Sequence, residues 1–132
     1  MGFLLEIVTP RGIYLTEEVD SLTIKMTTGY RTFLAGHAPL IGSLGYGAMH
    51  LIKKGEVFDY AVHGGAINVT KEKTSVVCNA IESAKDIDTA RALAAKDRAE
   101  KRIKEKDPNI DIKRAQLALQ RALIRLEVAS KK

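Results

Sequence analysis

The sequence predicts an α+β chain: an antiparallel β-sandwich over residues 1–85, followed by an antiparallel two-helix hairpin over residues 86–132. Three observations lead there. In the first part apolar residues alternate with polar ones and turn signals recur at short intervals. After Ala84 no glycine or proline interrupts the chain until Pro108, and alanine becomes dense. The charge is also divided unevenly: residues 1–85 hold eight bases and eight acids, residues 86–132 hold 13 and eight, so the whole net charge of +5 sits in the second part.

The strands come first. Leu22, Ile24 and Met26 alternate with Thr23 and Lys25, and Phe58, Tyr60 and Val62 with Asp59 and Ala61. That is the period of a strand with one buried face. Turns are expected at Thr9-Pro10-Arg11-Gly12, Thr28-Gly29, Lys53-Lys54-Gly55-Glu56, Gly64-Gly65 and Lys71-Glu72-Lys73. Many short strands with regular turns favour a sandwich or barrel. Gly42, Gly45 and Gly47 mark bends or bulges in the middle. Strand–helix alternation is missing, which argues against a doubly wound nucleotide fold.

The helices follow. Asp86 and Asp88 are N-cap candidates for the first, and its alanines give high helix propensity and a thin profile. Asp107-Pro108-Asn109 breaks it, and Asp111 can cap the second. Ile112, Ala115, Leu119, Ala122 and Leu126 are spaced 3-4-3-4 and form an apolar stripe for the first helix to cover. Isolated helices of this length are marginal, so the hairpin is an element that a ligand or partner can reorganise.

Composition narrows the function. No apolar run approaches the roughly 20 residues that span a bilayer, and the first residues lack the pattern of a signal or transit peptide. A cytosolic chain is expected, with membrane association only through a partner. Cys78 is the single cysteine and lies in an alternating apolar run, as a small buried hydrophobe does. His37, His50 and His63 have neither metal-ligand spacing nor cysteine partners. No nucleophile–base–orienter set and no Gly-x-x-x-x-Gly-Lys-Ser/Thr loop is present, so a hydrolytic role is not expected. The basic tail raises the alternative of a free-standing nucleic-acid-binding module. Its interleaved acids and lack of aromatic residues count against that.

Two motifs carry a family resemblance. Gly36-His37-Ala38-Pro39-Leu40 lies between strands, and Ile87-Asp88-Thr89-Ala90-Arg91-Ala92 opens the first helix. With Val8-Thr9-Pro10-Arg11-Gly12 and Gly64-Gly65 in matching order, the chain resembles the epsilon subunits of bacterial F-type ATP synthases nearly end to end. Two departures stand out: Tyr30 replaces an expected acid after Gly29, and Ala35 takes the place of a proline before Gly36.

The resemblance implies a non-catalytic rotor subunit that helps couple proton- or sodium-ion-driven rotation to ATP synthesis. The sandwich would dock on the gamma subunit and the c-ring, with His37, Ala38, Pro39 and Leu40 in the docking loop. ATP would be a regulatory ligand, not a catalytic cofactor, held by Glu82, Ile87, Asp88, Arg91, Ala92, Arg98, Arg121 and Arg125. ATP would favour the folded hairpin. An extended form would meet the beta and alpha subunits of the catalytic head through Arg114, Arg121 and Arg125 and inhibit ATP hydrolysis. The chain would then sit at the cytoplasmic face of the bacterial membrane, as a peripheral part of the complex. From spacing alone, Arg91 with Arg98 and Arg121 with Arg125 each share a helix face, and guanidinium groups suit phosphate oxygens.

Overall fold

The computed structural model describes residues 2–105, 107–109 and 111–131. It contains eight strands: β1 (Phe3–Thr9), β2 (Gly12–Val19), β3 (Ser21–Met26), β4 (Gly29–Leu34), β5 (Leu40–Lys53), β6 (Glu56–Val69), β7 (Thr74–Cys78) and β8 (Ile81–Ser83). A 3₁₀ turn (Ala84–Asp86) leads to α1 (Thr89–Lys104) and α2 (Ile112–Ala129). The chain divides into two compact units, Met1–Ser83 and Ala84–Lys132.

The first unit is the expected sandwich, built around two long strands. β5 and β6 pair from Leu40↔Val69 to Lys53↔Glu56. Their far ends join different neighbours: Gly65–Val69 pairs with β7, which pairs with β1 and so with β2. Tyr60–Val62 pairs with β8, while the C-terminal part of β5 pairs with β3 and so with β4. One continuous strand path thus supplies both layers. Leu5, Ile7, Ile67 and Val76 from one layer meet Leu22, Ile24, Phe33 and Met49 from the other, all essentially fully buried. Burial of such apolar area drives the collapse.

The chain changes layer at Gly64 and Gly65, where a turn was expected. Both lie inside β6, with φ of +77° and +139°. A Cβ on Gly65 would stand 2.0 Å from the Val77 carbonyl oxygen, so only glycine lets β6 and β7 approach this closely. No pair forms at Gly45 and Gly64, yet the β5–β6 register is the same on both sides of them, so the corner is a bend made by both strands together and not a bulge. The other expected turns lie between strands. Lys54 (φ +52°) and Gly55 (φ +81°) form the two-residue β5–β6 hairpin, whose handedness suits twisted strands.

Two further expectations need correction. β1 and β7 run parallel, from Leu5↔Thr74 to Val8↔Val77, within a sheet expected to be antiparallel. Residue alternation reports which face is buried and is blind to a neighbour's direction. In addition, Ala61 is buried although it points away from the Tyr60–Val62 face, as is its cross-strand partner Ala48. Both faces of the middle of β6 are therefore shielded.

In the second unit Asp88 and Asp111 cap the two helices, and Asp86 ends the preceding 3₁₀ turn. α1 buries Ala92 and Ala99 and packs against α2, which buries Ala115 and Ala122. Leu119 and Leu126 of the expected stripe are half-buried. Ile112 is 38% exposed, because it is the first residue of α2, beside the link where α1 is ending. A second apolar line was not anticipated: Leu117, Ile124 and Val128 run along α2 roughly opposite the alanines, with Ile124 and Val128 buried.

Candidate functional site

The Gly36–Leu40 loop joins β4 to β5. Gly36 has φ +79°, and the backbone N–H of His37 donates to the Leu34 carbonyl at 3.2 Å, closing the turn. The His37 ring lies tilted over Phe33, with centroids 4.7 Å apart, and Nδ1 is 2.7 Å from the Ala38 carbonyl. A carbonyl only accepts, so Nδ1 carries the proton there. His37 is thus spent on holding the loop, while Ala38 and Pro39 are exposed at its tip and Leu40 packs on the core. The loop borders a cleft of about 550 Å³ shared with the start of β1 and the β6–β7 turn.

Glu82 lies in β8, opposite Ala61. Its Oε1 is 3.2 Å from Nε2 of His63, whose side chain is 4% exposed against 30% for Glu82. The His63 and Tyr46 rings also meet in an edge-type contact, with centroids 5.9 Å apart. His63 did not emerge from the sequence as a site residue, since only metal spacing was considered for it. The available signal was a polar residue in an apolar strand just before Gly64-Gly65.

The remaining candidates belong to the helical unit. Ile87 and Ala92 are buried, and Asp88, Arg91, Arg98, Arg114 and Arg121 are exposed, with Arg125 half-buried. Asp88 accepts from the Arg91 backbone N–H at 3.1 Å, and Asp111 accepts from that of Arg114 at 3.1 Å. Each helix thus opens on the same Asp-x-x-Arg-Ala pattern, with the aspartate as cap.

A second regularity concerns the arginines. Arg91, Arg98, Arg114 and Arg121 each immediately precede a buried alanine: Ala92, Ala99, Ala115 and Ala122. At about 100° per residue, each arginine projects a quarter-turn from the alanine seam in the same rotational sense. Two antiparallel helices that meet along such seams are related by a two-fold axis perpendicular to their common plane. The same offset on both helices therefore brings all four arginines to one side of the hairpin. Arg125, about 40° from Arg121, joins them. Spacing alone paired the arginines within helices. The buried alanines are what orient the two pairs toward each other.

Other chemistry is not assembled. Among the described residues no group of three or more histidine, cysteine, aspartate or glutamate side chains can hold a metal. Burial pushes the Cys78 thiol up to about 11, far from a reactive thiolate. No helix among the described residues is long and apolar enough to cross a membrane.

A β-sandwich followed by a capped helical hairpin with arginines along one side defines a two-part class of protein, a sheet unit joined to a helical unit. Two family models agree: "ATP synthase, Delta/Epsilon chain, beta-sandwich domain" matches residues 3–84, and "ATP synthase, Delta/Epsilon chain, long alpha-helix domain" matches residues 85–130. The ATP synthase epsilon chain of Bacillus cytotoxicus is 41% identical over 130 residues, 98% of both chains. That of Halalkalibacterium halodurans is 42% identical over 129 residues, 96% of both. The chain belongs to the ATP synthase epsilon chain family. A chain in the Euglena gracilis mitochondrial ATP synthase shares the fold, with a TM-score of 0.87 at 21% identity over 98% of this chain and 81% of that one. A chain from the Tetrahymena thermophila mitochondrial ATP synthase central stalk and c-ring gives 0.62 at 15% identity, over 99% and 96%.

Proposed function

We propose that this chain is a non-catalytic central-stalk subunit of an F-type ATP synthase whose helical hairpin senses ATP and restrains ATP hydrolysis. The sandwich docks on the gamma subunit and the c-ring, with Ala38 and Pro39 at the tip of the docking loop. It thereby helps couple ion-driven rotation to synthesis, on the cytoplasmic face of the membrane. ATP is held by Glu82, Ile87, Asp88, Arg91, Ala92, Arg98, Arg121 and Arg125, and no metal or catalytic cofactor takes part in this chain's role.

The one-sided arginine array carries the reading. Several guanidinium groups along one side of a closed hairpin repel one another. A polyphosphate relieves that repulsion and gains charge-assisted, often bidentate hydrogen bonds. Nucleotide therefore favours the closed hairpin, because a ligand shifts an equilibrium by its differential affinity for the two states. At a hundredfold excess over Kd the shift is about 2.7 kcal/mol, enough to govern a marginal element. In the extended form an acidic surface on the beta and alpha subunits takes the place of the phosphates, with Arg114, Arg121 and Arg125 as the contacts. Arg121 and Arg125 therefore serve two mutually exclusive partners.

The test is calorimetry with the full-length chain and ATP. Binding is expected, weakened in Arg91→Ala and in Arg125→Ala while the sandwich unfolds as in wild type. No heat of binding at millimolar ATP would refute the nucleotide site.

A further inference from the structure

We infer that His63 is a positioning residue for the nucleotide site: it tethers the Glu82 carboxylate from within the sandwich. The inference rests on the ATP site proposed above, which includes Glu82 but not His63.

The geometry begins with the strand corner. His63 is the last residue of β6 before Gly64, and its backbone is fixed on both sides. Its N–H donates to the Ala80 carbonyl at 3.0 Å, and the Gly64 carbonyl accepts from the Asn79 N–H at 3.1 Å. These bonds tie the chain just before β8 to the corner, and Glu82 follows in β8. The His63 ring makes an edge-type contact with the Tyr46 ring. A side chain that is 4% exposed and fixed in this way has little freedom to turn.

The chemistry then fixes the roles. An ionised carboxylate only accepts, so the Nε2 of His63 carries the proton and donates to Glu82 Oε1. Glu82 is the less buried member of the pair, with its side chain 30% exposed against 4% for His63. A carboxylate is a poor partner for phosphate and a good one for the donors of a nucleoside, its ribose hydroxyls and exocyclic amine. Glutamate is among the side chains that lose most rotamer freedom on being ordered. With that cost met in the free protein, the carboxylate is preorganised for its ligand. Glu82 lies in β8, the last strand in the chain before the 3₁₀ turn and α1.

The experiment is a double-mutant cycle read by calorimetry with ATP on the full-length chain, using His63→Leu, Glu82→Ala and the double variant. Unfolding midpoints without nucleotide are measured alongside. Losing a hydrogen bond to a charged group should weaken ATP binding about tenfold in His63→Leu. In the Glu82→Ala background His63→Leu should cause no further loss, because the tethered group is gone. An equal loss in both backgrounds would overturn the inference while leaving the nucleotide site standing. Absence of ATP binding by the wild type would overturn both.

Should His63→Leu fail to fold, a second pair of variants decides. His63→Gln keeps an N–H donor near the same reach and should bind close to wild type. His63→Asn is too short to reach Glu82 and should bind about tenfold more weakly, the scale of one charged hydrogen bond. Equal affinities for the two would overturn the inference.

Discussion

Asp88 and Arg91 meet through the backbone: the carboxylate of Asp88 accepts the Arg91 N–H at 3.1 Å and so starts α1. Asp111 and Arg114 repeat the relationship at the start of α2. The aspartate satisfies an amide that the helix leaves unpaired, and its charge also suits the positive helix end. The following Arg-Ala step sets one residue in the seam and its neighbour on the arginine side. A pattern that looks purely ligand-directed is therefore also the local code for the hairpin. Without nucleotide, Asp88→Ala should destabilise the helical unit by about 1 kcal/mol, whereas Asp88→Asn, an equally good cap, should stay near wild type. Urea unfolding followed by far-UV circular dichroism checks both.

The strand corner makes a second prediction. Gly65→Ala places a methyl group 2.0 Å from the Val77 carbonyl oxygen, and Gly65 also holds φ +139°. The loss of stability should be well above about 1 kcal/mol, since both backbone angle and close approach oppose it. Gly55 offers the contrast: φ is +81°, but no atom lies within 4 Å of the added Cβ. Gly55→Asn should cost less than about 1 kcal/mol, because asparagine tolerates this conformation at a hairpin turn. Thermal unfolding midpoints of the two variants should differ clearly.

How much of this was legible varies with the physics. Leu22, Ile24 and Met26 announced β3 because strand alternation is local. Asp88 and Asp111 announced their helices because capping is local too. Gly64-Gly65 reads as a turn in sequence, because a positive-φ pair serves equally well as a corner inside a long strand, and only the pairing of β6 with β7 and β8 distinguishes the two. His63 and the line through Leu117, Ile124 and Val128 stayed hidden because their meaning comes from distant neighbours. The arginines lay between these cases. Their spacing was visible, but which side of the hairpin they share depends on Ala92, Ala99, Ala115 and Ala122 being buried.

Cys78 yields a pH prediction. Burial raises its thiol from its ordinary 9.0 to about 11, so the folded state holds the proton where the unfolded chain releases it. Stability from this group is complete below pH 9 and is lost as pH rises towards 11. Tyr60 is raised as well, first by burial and then by the nearby Glu17 charge, and adds to the alkaline loss. Cys78→Ala should therefore show a shallower fall of stability between pH 9 and 11 than wild type. Thiol labelling at pH 8 should be slow in the native protein and prompt after denaturation.

Steady-state ATP hydrolysis by the reconstituted complex, at low ATP and equal subunit occupancy, tests the regulatory role most directly. Three forms of the chain are compared: wild type, the Arg114→Ala/Arg121→Ala/Arg125→Ala variant, and a chain lacking residues 86–132. Under the proposed function both altered chains should hydrolyse ATP faster than wild type, because the proposed contacts to the catalytic head are removed while the sandwich is left intact. Identical rates for all three would contradict the account and leave this chain a coupling subunit without a switch.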